Sequence, residues 1–394
     1  MEAVRLRRGT SRLTTVCAAV RATAASSRLF RLARLSVCSV CSVVTFAASV
    51  QARAQGPAHA VVLIAMDGVR WQDLFHGADT ALISRRMGGV GDTAGLRKEF
   101  WRADPRERRR IIFPFIWDSV AAHGSIWGSP DAESDARVTN GLNFSYPGYN
   151  EMLTGRADSR IDKNDYGPNP NITVFEWLAT RPGLRGRVSA FATWGVFNDI
   201  FNRDRAAHLV FAGWAPPASR AVGTHDATLD RLYRTTTRVW GDNAFDALMQ
   251  TALLDHVKRH KPRALFVGYG ETDEWAHSRR YDLTLRSARS ADAFIAELWG
   301  TMQAMQEYRG RTTFIILTDH GRGEGDKWTD HGEDVDGAGQ IWIAAMGPGI
   351  PSAGEVRRSR VTQAQVAATV ASLLGEEFTR FESRAAPPLV GRAP

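Results

Sequence analysis

The chain has 394 residues, 44% of them hydrophobic, and a net charge of +8. That length suits one large α/β domain or two small ones, and the apolar content excludes a disordered or fibrous chain. Nine arginines against one acid, Glu2, lie within residues 1–54 and account for all of the excess charge; the remainder is neutral, so no nucleic-acid-binding surface is expected.

Residues 1–54 are laid out as a secretory signal: a basic region to Arg34, the apolar run LSVCSVCSVVTFAASV at 35–50, and small residues around Arg53 suited to cleavage. An exported protein, periplasmic or secreted, is the expectation, with cleavage near Ala54. The alternative is an uncleaved N-terminal anchor, which would be the only membrane contact. Residues 55–394 then form one domain. All three cysteines, 17, 38 and 41, lie in the leader, so that domain has no disulfide and no thiolate metal site, and any metal must use oxygen and nitrogen ligands.

After a short linker at 51–58, AVVLIAM (60–66) reads as a buried strand that stops at Asp67-Gly68. The segments 76–110 and 156–262 have poor periodicity and read as excursions over the active face, apart from short helical patches such as ITVFEWLA at 172–179. ALFVGYGETD (264–273) and TTFIILTDHG (312–321) repeat the pattern of an apolar run ending in an aspartate. Between them, Ala291, Phe294, Ile295, Leu298, Trp299, Met302 and Met305 fall at helical spacing, predicting a helix of about four turns. Strand, helix, strand implies a parallel crossover. Thr362 and Gln365 predict a capping box before a helix closed by Gly375.

Ligands of open parallel sheets bind beyond the carboxyl ends of the strands, so three strands ending at Asp67, Asp273 and Asp319 bring three carboxylates together. One helical turn puts Asp273 and His277 on the same face. His320 follows its acid directly, and His331 lies in WTDHGED. Three carboxylates with three imidazoles suit zinc, manganese or iron better than calcium, and six ligands suit two ions better than one. Ser145, in NFSYPGYNEMLTGR (143–156), is the candidate nucleophile: Pro147 sits in the first turn of a predicted helix, which places the serine at an N-terminus that favours a phosphate.

In this order, DGVR (67–70), Ser145 with Pro147, MLTGR (152–156), ETDEWAH (271–277), TDHG (318–321) and HG (331–332) resemble the motifs of the alkaline phosphatase superfamily, closest to its nucleotide pyrophosphatase/phosphodiesterase branch. The resemblance spans roughly residues 59–376. It implies an α/β fold with a central, mostly parallel β-sheet, helices on both faces, and insertions over the active face. It also implies two zinc ions, one held by Asp273, His277 and His331, the other by Asp67, Asp319 and His320 and met by Ser145. The implied reaction is in-line attack of Ser145 on the phosphorus of a small-molecule phosphate ester, phosphodiester or nucleotide-type, through a phosphoserine.

Where the phosphodiesterase branch has Asn after the proline, this chain has Gly148, so its phosphate contacts must differ and are sought at Asn143, Gly148, Asn150 or within 190–205. Tyr149 stands where sulfatases need Arg, which argues against a formylglycine nucleophile. Trp71, Trp194 and Trp275 near the motifs suggest an aromatic-lined pocket. The alternatives are a phosphomonoesterase, a sulfatase-like enzyme, and a non-catalytic ligand-binding protein of the same fold.

Overall fold

The computed structural model describes residues 58–215 and 227–390. The leader, its cleavage region and the three cysteines lie outside the described residues. The fold is built on an eight-stranded sheet in the order β5-β4-β6-β1-β7-β8-β2-β9, beside a two-stranded ribbon of β3 and β10. The strands are β1 Ala60–Met66, β2 Gly124–Trp127, β3 Asp135–Arg137, β4 Val188–Ala192, β5 Leu209–Ala212, β6 Ala264–Tyr269, β7 Thr312–Leu317, β8 Ile343–Met346, β9 Gly354–Glu355 and β10 Arg360–Thr362. Within the large sheet only β8 runs antiparallel to its neighbours.

Alternation along the strands divides the core into two. Val62, Ile64 and Met66 of β1 enter one apolar cluster, and Val61, Leu63 and Ala65 enter the other. The first cluster is closed by the 24-residue helix Tyr281–Ala304 and by helices within 71–112; the second is closed by the helices Ser145–Thr154 and Gln365–Leu373. Covering both faces explains why β1, β6 and β7 read as continuous apolar runs rather than alternating ones. Among the described residues no helix is long and apolar enough to cross a membrane.

Two differences from the sequence expectation have physical causes. The helix anticipated over Ala291–Met305 begins at Tyr281, because its first turns bury Thr284, Ser287 and Ala288 beside Leu285, small and hydroxyl side chains that carry little apolar signal. The segment 156–262 is also more than an excursion: it supplies β4, β5 and the helix Asp246–His260. VSAFA and LVFA are only five and four residues long, too short to stand out as strands until β4 pairs with β6 and β5 with β4. The capping box forms by half: the Gln365 side chain accepts from the Thr362 amide at 2.9 Å, and the helix starts at Gln365 itself.

Candidate metal and nucleophile site

Register brings the ligands together. Met66 pairs with Tyr269, and Ala65 pairs with Leu317, so β1, β6 and β7 end along one edge. Asp67 follows β1 directly, Asp319 lies just beyond β7, and the helix Glu271–His277 starts after Gly270 and carries Asp273 and His277 one turn apart.

Asp273, His277 and His331 form one group whose ligand atoms lie within 4.8 Å of one another; Asp67, Asp273 and His320 form a second. Nε2 of His277 is 3.2 Å from Asp273 Oδ2 and 3.0 Å from His331 Nε2. Nε2 of His320 is 3.3 Å from Asp67 Oδ1, 3.6 Å from Asp319 Oδ2 and 3.8 Å from Asp273 Oδ1. Asp273 thus stands between the two groups. His320 Nδ1 lies 2.9 Å from the Gly321 carbonyl, a contact only a protonated Nδ1 satisfies, so Nε2 is the ring nitrogen that faces the acids and could ligate a metal.

Buried polar contacts orient the rest. Tyr149 donates its hydroxyl to Asp67 Oδ2 at 2.9 Å, turning Oδ1 inward, and Thr272 donates to the Asp67 carbonyl at 2.6 Å. Asp319 Oδ1 accepts from the Gly68 amide at 3.1 Å. Arg322 is buried, and its guanidinium holds the Gly68 and Thr329 carbonyls and the Asp273 carboxylate.

Ser145 is the first residue of its helix, and its Oγ lies 3.4 Å from His320 Nε2. The approach to it is built by Glu151 on the same helix, a buried carboxylate that accepts from the amides and side chains of Thr139 and Asn140 at 2.9–3.0 Å. Asn140 in turn accepts from the amides of Leu142 and Asn143. Asn143 takes a left-handed φ of 56° at this turn and donates to the Gly332 carbonyl at 3.4 Å.

The electrostatics fit a cation site. Burial works against charge on His320, but Asp319 and Asp67 outweigh it and raise the imidazole to about 9. Burial, and then the charge of Asp67, push Asp319 well above the usual carboxylate range. Glu274, on the cleft wall, is raised to about 7 by burial and by Asp67. Burial and then His320 lower His277, and the same two causes, with Arg322 and His277, depress His331 much further. Beyond the ion-pair distances to His320, Asp67 Oδ1, Asp319 Oδ2 and His331 Nδ1 are buried without a well-aligned hydrogen bond among the described residues. Three inward carboxylates, inward ring nitrogens and these orphaned atoms fit divalent metal ions, which would reverse the local pKa order.

Asp67, Ser145, Asp273, His277 and His331 line an open cleft of about 220 Å³ together with Asn164, Trp194, Asn243, Gly270 and Glu274. The substrate-contact candidates are placed differently. Gly148 is a packing position: a Cβ there would lie 2.6 Å from the Asp319 carbonyl oxygen, so an Asn at this place would collide with the strand end. Asn150 is fully buried; its Oδ1 accepts from Asn169 and Asn171, and its Nδ2 donates to the Arg156 carbonyl. Asn143 supports the loop of His331. Of the three tryptophans, Trp194 lines the cleft, Trp275 packs on Trp240, and Trp71 packs on His76. Arg70 of the DGVR motif is buried in a two-bond pair with Asp73 at 2.9 Å.

Residues 239–377 match the family model described as Metalloenzyme superfamily, a stretch that holds five of the six proposed ligands. Among solved structures the chain is similar to a putative sulfatase from Bacteroides thetaiotaomicron, with 11% identity, 82% of this chain and 71% of that one covered, and a TM-score of 0.50. The fold is alkaline-phosphatase-like. Similarity extends to a phosphonate monoester hydrolase from Silicibacter pomeroyi (12% identity, 85% and 77% covered, TM-score 0.49) and to an alkaline phosphatase superfamily protein from Vibrio parahaemolyticus (12%, 82% and 68%, 0.48). No curated protein matches the chain.

On this alkaline-phosphatase-like fold, four side chains with roles at the site went unassigned in the sequence: Glu151, Arg322, Asn164 and Asn243. Arg322 is next to the TDHG motif, and Glu151 lies inside the nucleophile segment, but a buried carboxylate and a buried guanidinium look like surface charges until their partners are known. Asn164 caps the nucleophile helix by accepting from the Tyr146 amide at 3.0 Å. It lies nineteen positions past Ser145, where no local pattern marks it.

Proposed function

We propose that this chain is a metal-dependent hydrolase of small-molecule phosphate esters, with phosphodiester or nucleotide-type substrates favoured, acting through Ser145. The observation that carries the reading is the seat of Ser145: its Oγ opens a helix N-terminus 3.4 Å from His320 Nε2, in the cleft that both ligand groups line. The helix dipole at such an end favours a phosphoryl group.

Asp273, His277 and His331 would hold one divalent ion, and Asp67, Asp319 and His320 the other, with Asp273 standing between them; zinc is the proposed metal. When bound, the pair lowers the pKa of the serine hydroxyl and of water and stabilises negative charge on the leaving oxygen. Ser145 Oγ forms the bond to phosphorus as the ester oxygen departs, giving a phosphoserine that water cleaves. Tyr149 and Arg322 keep Asp67 and Asp273 aimed inward. Export is proposed from the leader, to the periplasm or medium, with a membrane contact only if the leader is retained.

The test is hydrolysis of bis-p-nitrophenyl phosphate, p-nitrophenyl phosphate and p-nitrophenyl sulfate by the zinc-loaded protein, with a chelated control. Chelator-sensitive turnover led by the diester supports the proposal. A monoester preference moves the protein to the phosphomonoesterases, and sulfate preference to a sulfatase-like enzyme. Two metals bound without turnover of any of these favours a non-catalytic ligand-binding protein.

A further inference from the structure

Asn150 and Asn243 are both buried, and they differ in one respect. Asn150 has both amide atoms bonded within the fold. Asn243 is 1% exposed and lines the cleft, yet neither Oδ1 nor Nδ2 has a partner among the described residues. Burying an amide without hydrogen bonds costs about 1–3 kcal/mol, so a side chain kept there unpaired points to a ligand that completes it.

The backbone holds this amide firmly in place. Residues 242–244 are zipped onto the end of β4, with Gly195 N bonded to the Asp242 carbonyl at 2.8 Å, Ala244 N to the Thr193 carbonyl at 2.8 Å, and Asn243 bridged to Trp194. On the other side the amide lies flat against Gly270, where a Cβ would come within 2.3 Å of Oδ1. Only glycine at 270 leaves room for it. Asn243 therefore stands above β4 and β6, on the flank of the cleft away from β7, with Trp194 beside it.

We infer that Asn243 recognises the organic part of the substrate, and that this part carries a hydroxyl group, as in a polyol- or sugar-type phosphate ester; the inference rests on the phosphate-ester reading of the cleft. The chemistry selects this class because both amide atoms need a partner. Ionised phosphoryl oxygens only accept hydrogen bonds, so they can satisfy Nδ2 but never Oδ1. A hydroxyl both donates and accepts, and can satisfy the two atoms together. Sites that bond a substrate hydroxyl discriminate strongly against analogues lacking it, because their own polar groups are then left unpaired.

The test measures binding in the zinc-loaded full chain carrying Ser145→Ala, so that it does not depend on turnover. The probes are glycerol 1-phosphate, ethyl phosphate and inorganic phosphate, followed by calorimetry. Adding Asn243→Leu is expected to weaken glycerol 1-phosphate about tenfold and to leave ethyl phosphate and inorganic phosphate within about twofold. Asn243→Asp, which still accepts from a hydroxyl, is expected to fall between Asn243→Leu and the parent for glycerol 1-phosphate. Equal weakening of all three probes would place the amide on the phosphoryl oxygens and overturn the inference, as would no weakening of any. Unchanged metal content and melting temperature show that the variants fold. Failure of the wild-type protein to hydrolyse phosphate esters would sink the proposed function while leaving this binding comparison to stand or fall alone.

Discussion

The centre of the sheet and its β4–β5 flank solve the problem of burying polar groups in opposite ways. At the centre, β1, β6 and β7 are six or seven residues long and wholly buried, and nearly every polar atom at their ends has a partner or aims at a ligand group. On the flank, strands of four and five residues leave Asn243 and His208 buried without partners among the described residues. The difference teaches that the centre gathers charged groups while the flank buries neutral polar ones. The long strands supply a rigid edge that fixes carboxylates, while beside the short ones the loop at 242–244 is zipped onto the end of β4.

The largest expected effect lies at the centre. Ser145→Ala should lower kcat by about 10³-fold or more while bound metal stays at the wild-type level; appreciable residual turnover of the diester would remove Ser145 from the nucleophile's role. Asp319→Asn comes next, because its Oδ2 is fully buried and faces His320. Loss of about one metal equivalent and of about 100-fold in activity is expected, checked by metal analysis of the dialysed protein, and an unchanged metal ratio would contradict the ligand role. His277 is the exposed member of the open group, with 45% of its side chain accessible. His277→Ala should therefore give a milder loss that added zinc largely restores, whereas zinc should not rescue Asp319→Asn.

A smaller effect is expected for Arg322→Met, since the guanidinium positions Asp273 rather than touching substrate. Metal affinity should fall about tenfold, with KM nearly unchanged once the sites are saturated, and a large KM change in metal-saturated enzyme would argue for direct substrate contact.

The least effect on activity is expected at His208 on the flank, which reads out in stability. Burial lowers its pKa from 6.5 to about 4. The unfolded chain therefore binds the proton more tightly, so the histidine adds no pH-dependent cost well above pH 6.5, and its proton-linked destabilisation grows as pH falls from 6.5 to about 4. At the low end it is on the order of 3 kcal/mol. Urea unfolding at pH 7.5 and pH 5 should show a smaller pH difference for His208→Leu than for wild type; identical differences would mean the imidazole finds a proton partner in the fold.

Legibility followed the same division. β1, β6 and β7 could be read directly, since a strand covered on both faces must be a continuous apolar run, and an acid just after it stands out against that run. The Asp273–His277 pair was readable from one helical turn. β4 and β5 were not, because VSAFA and LVFA become strands only by pairing with β6 and with each other. Among the substrate candidates, Asn150 is bonded to Asn169 and Asn171, and Gly148 is packed on Asp319; neither fact has a local signature.

The sequence by itself determined the aspartates that follow three strands, directly at Asp67, just beyond the strand at Asp319 and on the next helical turn at Asp273, the histidines that accompany them, and a serine at a helix start, because those features depend on spacings of a few residues and on uninterrupted apolar runs. Only the tertiary structure decided that Asp273 stands between two ligand groups, that Arg322 and Tyr149 hold the carboxylates inward, and that Asn243 rather than Asn150 is the unpaired amide in the cleft. Those outcomes depend on contacts between residues tens to hundreds of positions apart, and whether a buried polar atom is satisfied is a property of its surroundings, not of its residue type.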